Sequence, residues 1–242
     1  MENTVILKLL GRNIGFSVLQ NKLYNLWRPS APLYMVDIEN DYFLVKFQNK
    51  LDCEKVLSEG PWIIFGQYLT VQLWTLAFDP SQAYPSVVMA WIRFPGLPGY
   101  LYNHKIITAI GEMVGKVVKL DMNTDSKARG RFARMVVYVD LEKPLVSHIL
   151  INGRKQNVEY ESLSTIRFHC GRYGHVENSC PFRNSRISSE KENALSEMSS
   201  EIQNMAEAGS EKKDGNFGPW MIVERKSRRK IKENVLTSLD NQ

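Results

Sequence analysis

The sequence predicts an α+β protein. A βαββαβ region covers residues 1–80, a second small α+β unit 81–163, a metal-site motif lacking one ligand 164–184, and a disordered, basic-ended tail 185–242. Three observations predict this. Before residue 80, apolar runs of strand length alternate with two stretches of helical period. Cys170, His175 and Cys180 stand at the spacing of metal ligands. From Arg183 onward, Ser, Glu, Asn and Lys replace any apolar periodicity.

Val5 to Leu10 is a short apolar strand, and Gly11 to Gly15 form a loop into a helix. Phe16, Leu19, Leu23, Leu26 and Trp27 recur three or four apart, on one face of that helix, and Pro29 and Pro32 stop it. Leu33 to Ile38 and Tyr42 to Phe47 form a hairpin across Glu39-Asn40-Asp41. Asn49 caps a second helix that turns Cys53, Val56 and Leu57 inward and ends at Gly60-Pro61. Tyr68 to Trp74 alternates Leu69, Val71 and Leu73 with Tyr68, Thr70 and Gln72, the period of a half-buried strand.

This order is that of the ferredoxin-like or RRM-like fold, in which two helices cover one face of a four-stranded antiparallel sheet. In RRMs the other face presents aromatics that stack bases. Tyr42, Leu44 and Lys46 should point to the open face, and Phe43, Val45 and Phe47 to the core. Of the three usual stacking positions only one holds an aromatic, Tyr42; Leu44 and Ile6 fill the others. Base stacking on this face is therefore expected to be weak.

The second unit starts after Pro80 to Pro85. Val87 to Phe94 reads as a strand and Pro95 to Gly99 as a rigid turn. Asn103 caps a helix with Ile106, Ile107, Ile110, Met113 and Val114 inward. Lys116 to Met122 and Phe132 to Leu141 are further strands, and Asn152-Gly153 predicts a hairpin pairing Ser147–Ile151 with Gln156–Tyr160. The loop from Ser126 to Arg134 gathers Lys127, Arg129, Arg131 and Arg134 around Gly130 and Phe132, a composition that suits phosphate contacts as well as an ordinary solvated loop.

The most specific motif runs from Arg167 to Pro181. A zinc knuckle has the spacing C-x2-C-x4-H-x4-C, and metal binding folds a peptide too short to have a core. Cys170, His175 and Cys180 match the last three ligand positions, and Gly171 and Gly174 fall where its loop needs permissive backbone angles. Phe168 and Val176 match the apolar pair that sandwiches an unpaired base in such knuckles, and Arg172 is placed to meet a phosphate. The first ligand position is Arg167, whose guanidinium has no lone pair for zinc. Three outcomes stay open: weak zinc through three ligands and water, His169 as a substitute fourth ligand, or a loop without metal. Weak or absent zinc is favoured over tight zinc.

In the tail, Arg225, Lys226, Arg228, Arg229, Lys230 and Lys232 crowd into eight residues. Such a run suits nuclear import or a nucleic-acid arm, slightly ahead of a solubilising tail.

Composition narrows the classes. The net charge of +5 and pI of about 9.0 lean weakly toward a polyanionic partner. No window approaches the roughly 20 apolar residues of a membrane span, and Met1 to Thr4 do not begin a secretory signal. Three cysteines form no disulfide framework, so the expected setting is reducing and intracellular, nuclear or cytoplasmic. Four histidines and no nucleophile–base constellation favour a protein that is not an enzyme and has no small-molecule substrate.

The whole arrangement resembles the plant proteins that carry domain of unknown function 4283 followed by a CCHC zinc knuckle, a family related to the gag-like first product of LINE-type retrotransposons. The residues that carry the resemblance are Gly60-Pro61-Trp62, the run Trp91 to Pro98, Ile110-Gly111, Gly115-Lys116, Ala133-Arg134, Val139 to Leu141, Lys143 to Leu145, the knuckle, and Phe217 to Met221. The resemblance implies nucleic-acid and zinc binding with no catalytic activity, and it places residues 1–163 together in the domain of unknown function. Arg167 departs from the pattern. The expected function is largely sequence-independent binding of single-stranded RNA or DNA. The alternative is a protein-interaction or assembly module, or the product of a decaying element, that self-associates and keeps residual nucleic-acid affinity.

Overall fold

The computed structural model describes residues 2–125, 131–174 and 216–223. The first unit runs β1 (Thr4–Leu9), α1 (Phe16–Trp27), β2 (Tyr34–Ile38), β3 (Tyr42–Lys46), α2 (Lys50–Glu59), β4 (Trp62–Ile64) and β5 (Gln67–Leu73). Its antiparallel sheet has the order β2-β3-β1-β5-β4. The βαββαβ expectation holds, with β4 added as an edge strand. Alternation sends Val5, Leu7, Phe43, Val45 and Leu69 into a core with Leu19, Leu23 and Trp27 of α1 and Cys53 and Val56 of α2. In α1 the buried stripe is Leu19, Leu23 and Trp27, while Phe16 and Leu26 are partly exposed. Asn49 caps α2 as expected, accepting from the Leu51 N–H at 2.9 Å.

The second unit runs β6 (Val87–Pro95), α3 (His104–Glu112), β7 (Val117–Leu120), the short α4 (Met122–Asp125), β8 (Phe132–Asp140), β9 (His148–Ile151), β10 (Arg154–Asn157) and β11 (Glu159–Glu161). Its main sheet has the order β12-β11-β6-β8-β7, where β12 is Ile222–Val223. Counting β6, β7, β8 and β11 as first to fourth strands gives the order 4-1-3-2, that of β5-β1-β3-β2 in the first unit. The two units thus share one sheet topology. Where the first has α2 after its third strand, the second has the hairpin β9–β10.

The chemistry of residues 141–158 explains that exchange. Pro144 cannot sit inside a helix. Asn152 and Gly153, at φ of 50° and 75°, make a two-residue turn with both positions left-handed. Arg154 pairs with Ile151 and Asn157 with His148. The strand pairing therefore starts closer to the turn than expected, and Tyr160 leaves the hairpin to pair with Ile92 on β6. Ile149 and Val158 enter the core with Ile107 and Ile110 of α3, whereas Ile106 and Met113 point outward, contrary to expectation. Gly111 lets α3 approach the sheet: a Cβ there would lie 2.3 Å from Met135 Sδ.

The units pack against each other. Leu10 and Tyr68, on the open face of the first sheet, are buried in the core of the second unit. The Tyr68 hydroxyl accepts the Trp91 N–H at 2.8 Å. A cleft of about 320 Å³ remains between the units, lined in part by Trp62, Gln72, Met89 and Tyr138. The tail expectation needs one correction. Residues 217–223 are folded onto the second unit, β12 adding in parallel beside β11 and Met221 wholly buried. A segment this short shows no periodicity in sequence, but Phe217, Trp220, Met221 and Ile222 pack on the core and anchor it.

Candidate nucleic-acid interface

The open face of the second sheet is built by alternation. Val88, Ala90, Ile92 and Phe94 of β6, with Ala133, Met135 and Val137 of β8, face the core. Trp91 and Arg93, with Phe132 and Arg134, therefore share the other face. In the register Arg93 lies opposite Arg134 and Pro95 opposite Phe132. Like charges placed directly opposite repel, and Glu161 of β11 resolves this. Its carboxylate takes Arg93 Nε at 2.5 Å, Arg134 Nε at 2.7 Å and the second Arg134 nitrogen at 2.9 Å. Asp121 accepts from Arg134 at 3.0 Å.

Both guanidiniums also lie on rings. The Arg134 carbon is 3.6 Å from the Trp91 ring centroid, and that of Arg93 is 4.4 Å from Phe132. Glu161 is 2% exposed. Burial alone would raise its carboxyl, but the hydrogen bonds and charges of Arg134 and Arg93 outweigh burial and hold it below the ordinary range. For Arg134, burial opposes the charge and Glu161 and Asp121 more than restore it. The face is consequently aromatic and nearly neutral, each ring carrying a guanidinium whose charge is matched within the sheet.

An RRM third strand follows the pattern K/R-G-F/Y-G/A-F-V-x-F/Y, with its aromatics in contact with bases. Phe132-Ala133-Arg134-Met135 keeps the first aromatic and the small residue, and puts arginine at the second aromatic position. Trp91 supplies the aromatic of the first strand. The sequence places Phe132 and Arg134 both at the end of a basic loop and at the start of a strand; the F-A-R-M run that opens that strand is the signal that marks this face.

The expected site residues separate accordingly. Tyr42 does point to the open face of the first sheet, but it is 1% exposed because Phe78 of the linker stands edge-on to it at 5.2 Å and Lys8 lies over its ring. Burial pushes its phenol up to about 12. It is a packing residue here and not an open stacking surface. Arg134 is likewise corrected: its charge is matched inside the sheet by Glu161 and Asp121. Arg131 is exposed beside the turn. Lys127 and Arg129 lie outside the described residues, as do Arg225, Lys226, Arg228, Arg229 and Lys230.

Thr165 to Gly174 of the knuckle form a tight hairpin on the second unit. The Arg167 carbonyl accepts the Cys170 N–H at 3.3 Å and the Gly171 N–H at 2.7 Å, and Ile166 pairs with Tyr173. Protein contacts hold it: Ile166 and Tyr173 are buried, Phe168 packs on the same core, and the Tyr84 hydroxyl donates to the Tyr173 carbonyl at 3.0 Å. Gly171, at φ 71°, lies under Phe217; a Cβ there would come within 2.3 Å of that ring. Arg172 donates to the Glu142 carbonyl. His169 is exposed, and His175, Val176 and Cys180 lie outside the described residues.

Arg167 occupies the first ligand position, with its Nε buried and lacking a hydrogen-bond partner among the described residues. A guanidinium there cannot replace a thiolate, so the residues present do not fit a four-ligand zinc site. Among the described residues no group of three His, Cys, Asp or Glu could hold a metal.

Residues 1–82 match the family described as a domain of unknown function (DUF4283), which covers the first unit and stops at the linker. No curated protein is found to match the chain. The solved structures it is similar to include the three N-terminal RNA-binding domains of the yeast splicing factor Prp24, at 14% identity and TM-score 0.26, covering 66% of each chain. A Sxl-lethal protein–RNA complex is 16% identical with TM-score 0.31, covering 66% of this chain and 99% of that one. The C. elegans NONO-1 homodimer is 15% identical with TM-score 0.25, covering 84% and 75%. At such values the RRM-like topology rests on strand order and register alone.

Proposed function

We propose that this protein binds single-stranded RNA or DNA without sequence preference and performs no chemistry on it. The observation that carries the reading is the placement of Trp91 and Phe132 on the same face of adjacent strands of a 4-1-3-2 sheet, each with an arginine against its ring. Every base has a π-face, so such a surface accepts bases regardless of sequence. Phosphate attraction comes from other cations: the exposed Arg131 and, outside the described residues, Lys127, Arg129 and the basic run from Arg225 to Lys230.

In this reading Phe168 and Arg172 of the knuckle add further contacts, with zinc held weakly or not at all. A retrotransposon-derived origin agrees with the family match over residues 1–82 and with the knuckle spacing. The setting is intracellular, nuclear or cytoplasmic. Binding of a labelled single-stranded oligonucleotide by Trp91→Ala and Phe132→Ala tests the reading: unchanged affinity in both removes this face from it.

The covered Tyr42 and the tail strand β12 seated on β11 favour a second reading, a self-associating assembly module with residual nucleic-acid affinity. Sedimentation without nucleic acid decides it; a monomer at all concentrations rules it out.

A further inference from the structure

We propose that Arg12, Lys22 and Phe65 form a second contact site for an unpaired nucleotide, at the edge of the first unit and away from both sheet faces. The proposal rests on the nucleic-acid reading and adds a location to it.

Phe65 sits at the tip of the β4–β5 hairpin. Ile64 pairs with Gln67, leaving Phe65 and Gly66 as a two-residue loop at φ of 51° and 80°. Both positions are left-handed, a conformation that asparagine and glycine adopt readily and a bulky aromatic does not. Unfavourable backbone that persists in a turn points to a use for the side chain it presents. That side chain is displayed to solvent, the residue being 49% exposed.

Two cations converge on the ring. Arg12, from the loop after β1, has its guanidinium carbon 5.0 Å from the centroid, and Lys22 of α1 has its ammonium at 5.2 Å. Neither forms a salt bridge among the described residues, in contrast to Arg93 and Arg134. Their charge is available to an external anion. Beside the ring a depression of about 230 Å³ is lined by Asn25, Leu26 and Ile63.

The patch also adjoins the knuckle. Gln67, next to the loop, donates to Ser164 Oγ at 3.4 Å, and a Cβ on Gly11 would lie 3.2 Å from Thr165 Oγ1. Ser164 and Thr165, which lead into the knuckle hairpin, thus lie beside Gln67 and Gly11, within two positions of Phe65 and Arg12. One aromatic face for a base and two unmatched cations for its phosphates are what an unpaired nucleotide requires. An acidic peptide would use the cations and not the ring.

The test is fluorescence anisotropy of the full chain with a roughly 15-nucleotide oligouridylate across a salt series. Arg12→Gln and Lys22→Gln are each expected to reduce the slope of log affinity against log salt by about 0.7. Phe65→Leu is expected to weaken binding at least about fivefold with the slope unchanged. Phe65→Asn is expected to weaken binding while raising the melting temperature, since asparagine relieves the turn. If the wild-type chain binds and all four variants match it, the site is wrong and the nucleic-acid reading stands. If the wild-type chain does not bind, both fall. If oligoglutamate competes as well as the RNA and Phe65→Leu changes nothing, the patch belongs to an acidic protein partner and the proposal is overturned.

Discussion

The Arg134 guanidinium lies 3.6 Å from the centre of the Trp91 ring, and Glu161 holds it there at 2.7 Å. One carboxylate thus does two things for the sheet: it cancels repulsion between Arg93 and Arg134, and it keeps a planar cation flat on an aromatic. Both guanidiniums are mostly buried, at 20% and 17% side-chain exposure, so removing their partner leaves charge poorly compensated.

Glu161→Gln should therefore destabilise the protein by roughly 2–4 kcal/mol, measured by urea denaturation at neutral pH. The pH dependence follows from the direction of the shift. The folded-state carboxyl lies below its unfolded value of about 4.3, so its contribution is fully present above that value and is lost as pH falls through the folded one. Between about pH 5 and pH 3 the wild-type chain should lose more stability than Glu161→Gln. Parallel curves for the two proteins would show that Glu161 is not the linked group.

Met221 tests whether the tail segment belongs to the fold. It is wholly buried on the second unit, 47 positions beyond Gly174 at the end of the knuckle hairpin. Met221→Ala should cost about 2–4 kcal/mol in the same denaturation experiment. A loss below about 0.5 kcal/mol would mean that this contact adds little in solution.

Tyr42 and Phe132 should behave oppositely. Tyr42→Ala removes a buried ring under Phe78 and should cost about 3 kcal/mol of stability with little change in oligonucleotide affinity per folded molecule. Phe132→Ala should weaken binding by about 1–3 kcal/mol and cost less stability. The reverse pattern would return the stacking role to the first sheet.

Arg167→Cys restores the four-ligand spacing with Cys170, His175 and Cys180. After dialysis without chelator the wild-type chain should retain well under one zinc and the variant close to one, measured by elemental analysis. Equal, stoichiometric zinc in both would show that the metal does not need the first thiolate.

Much of the fold was legible because alternation and helical spacing are local. Leu19, Leu23 and Trp27, the Asn49 and Asn103 caps, and the inward Phe43 and Val45 all follow from neighbours within a few residues. The three-residue β4 is too short to show a period. The β9–β10 hairpin was visible through Asn152-Gly153, but its place in the sheet was not, because strand order depends on pairing between distant residues. The candidate site was the least legible part. Arg134 finds Glu161 27 positions away, and Tyr42 is covered by Phe78 from a linker with no pattern of its own. A cation read alone looks available; only the fold reveals its partner.

The most direct test of nucleic-acid binding compares a single-stranded oligonucleotide with the duplex of the same length at about 50 and about 200 mM salt. Binding to the single strand should be the tighter, with affinity falling at least about tenfold across that range. No binding at the lower salt, or equal affinity for the duplex, would contradict it.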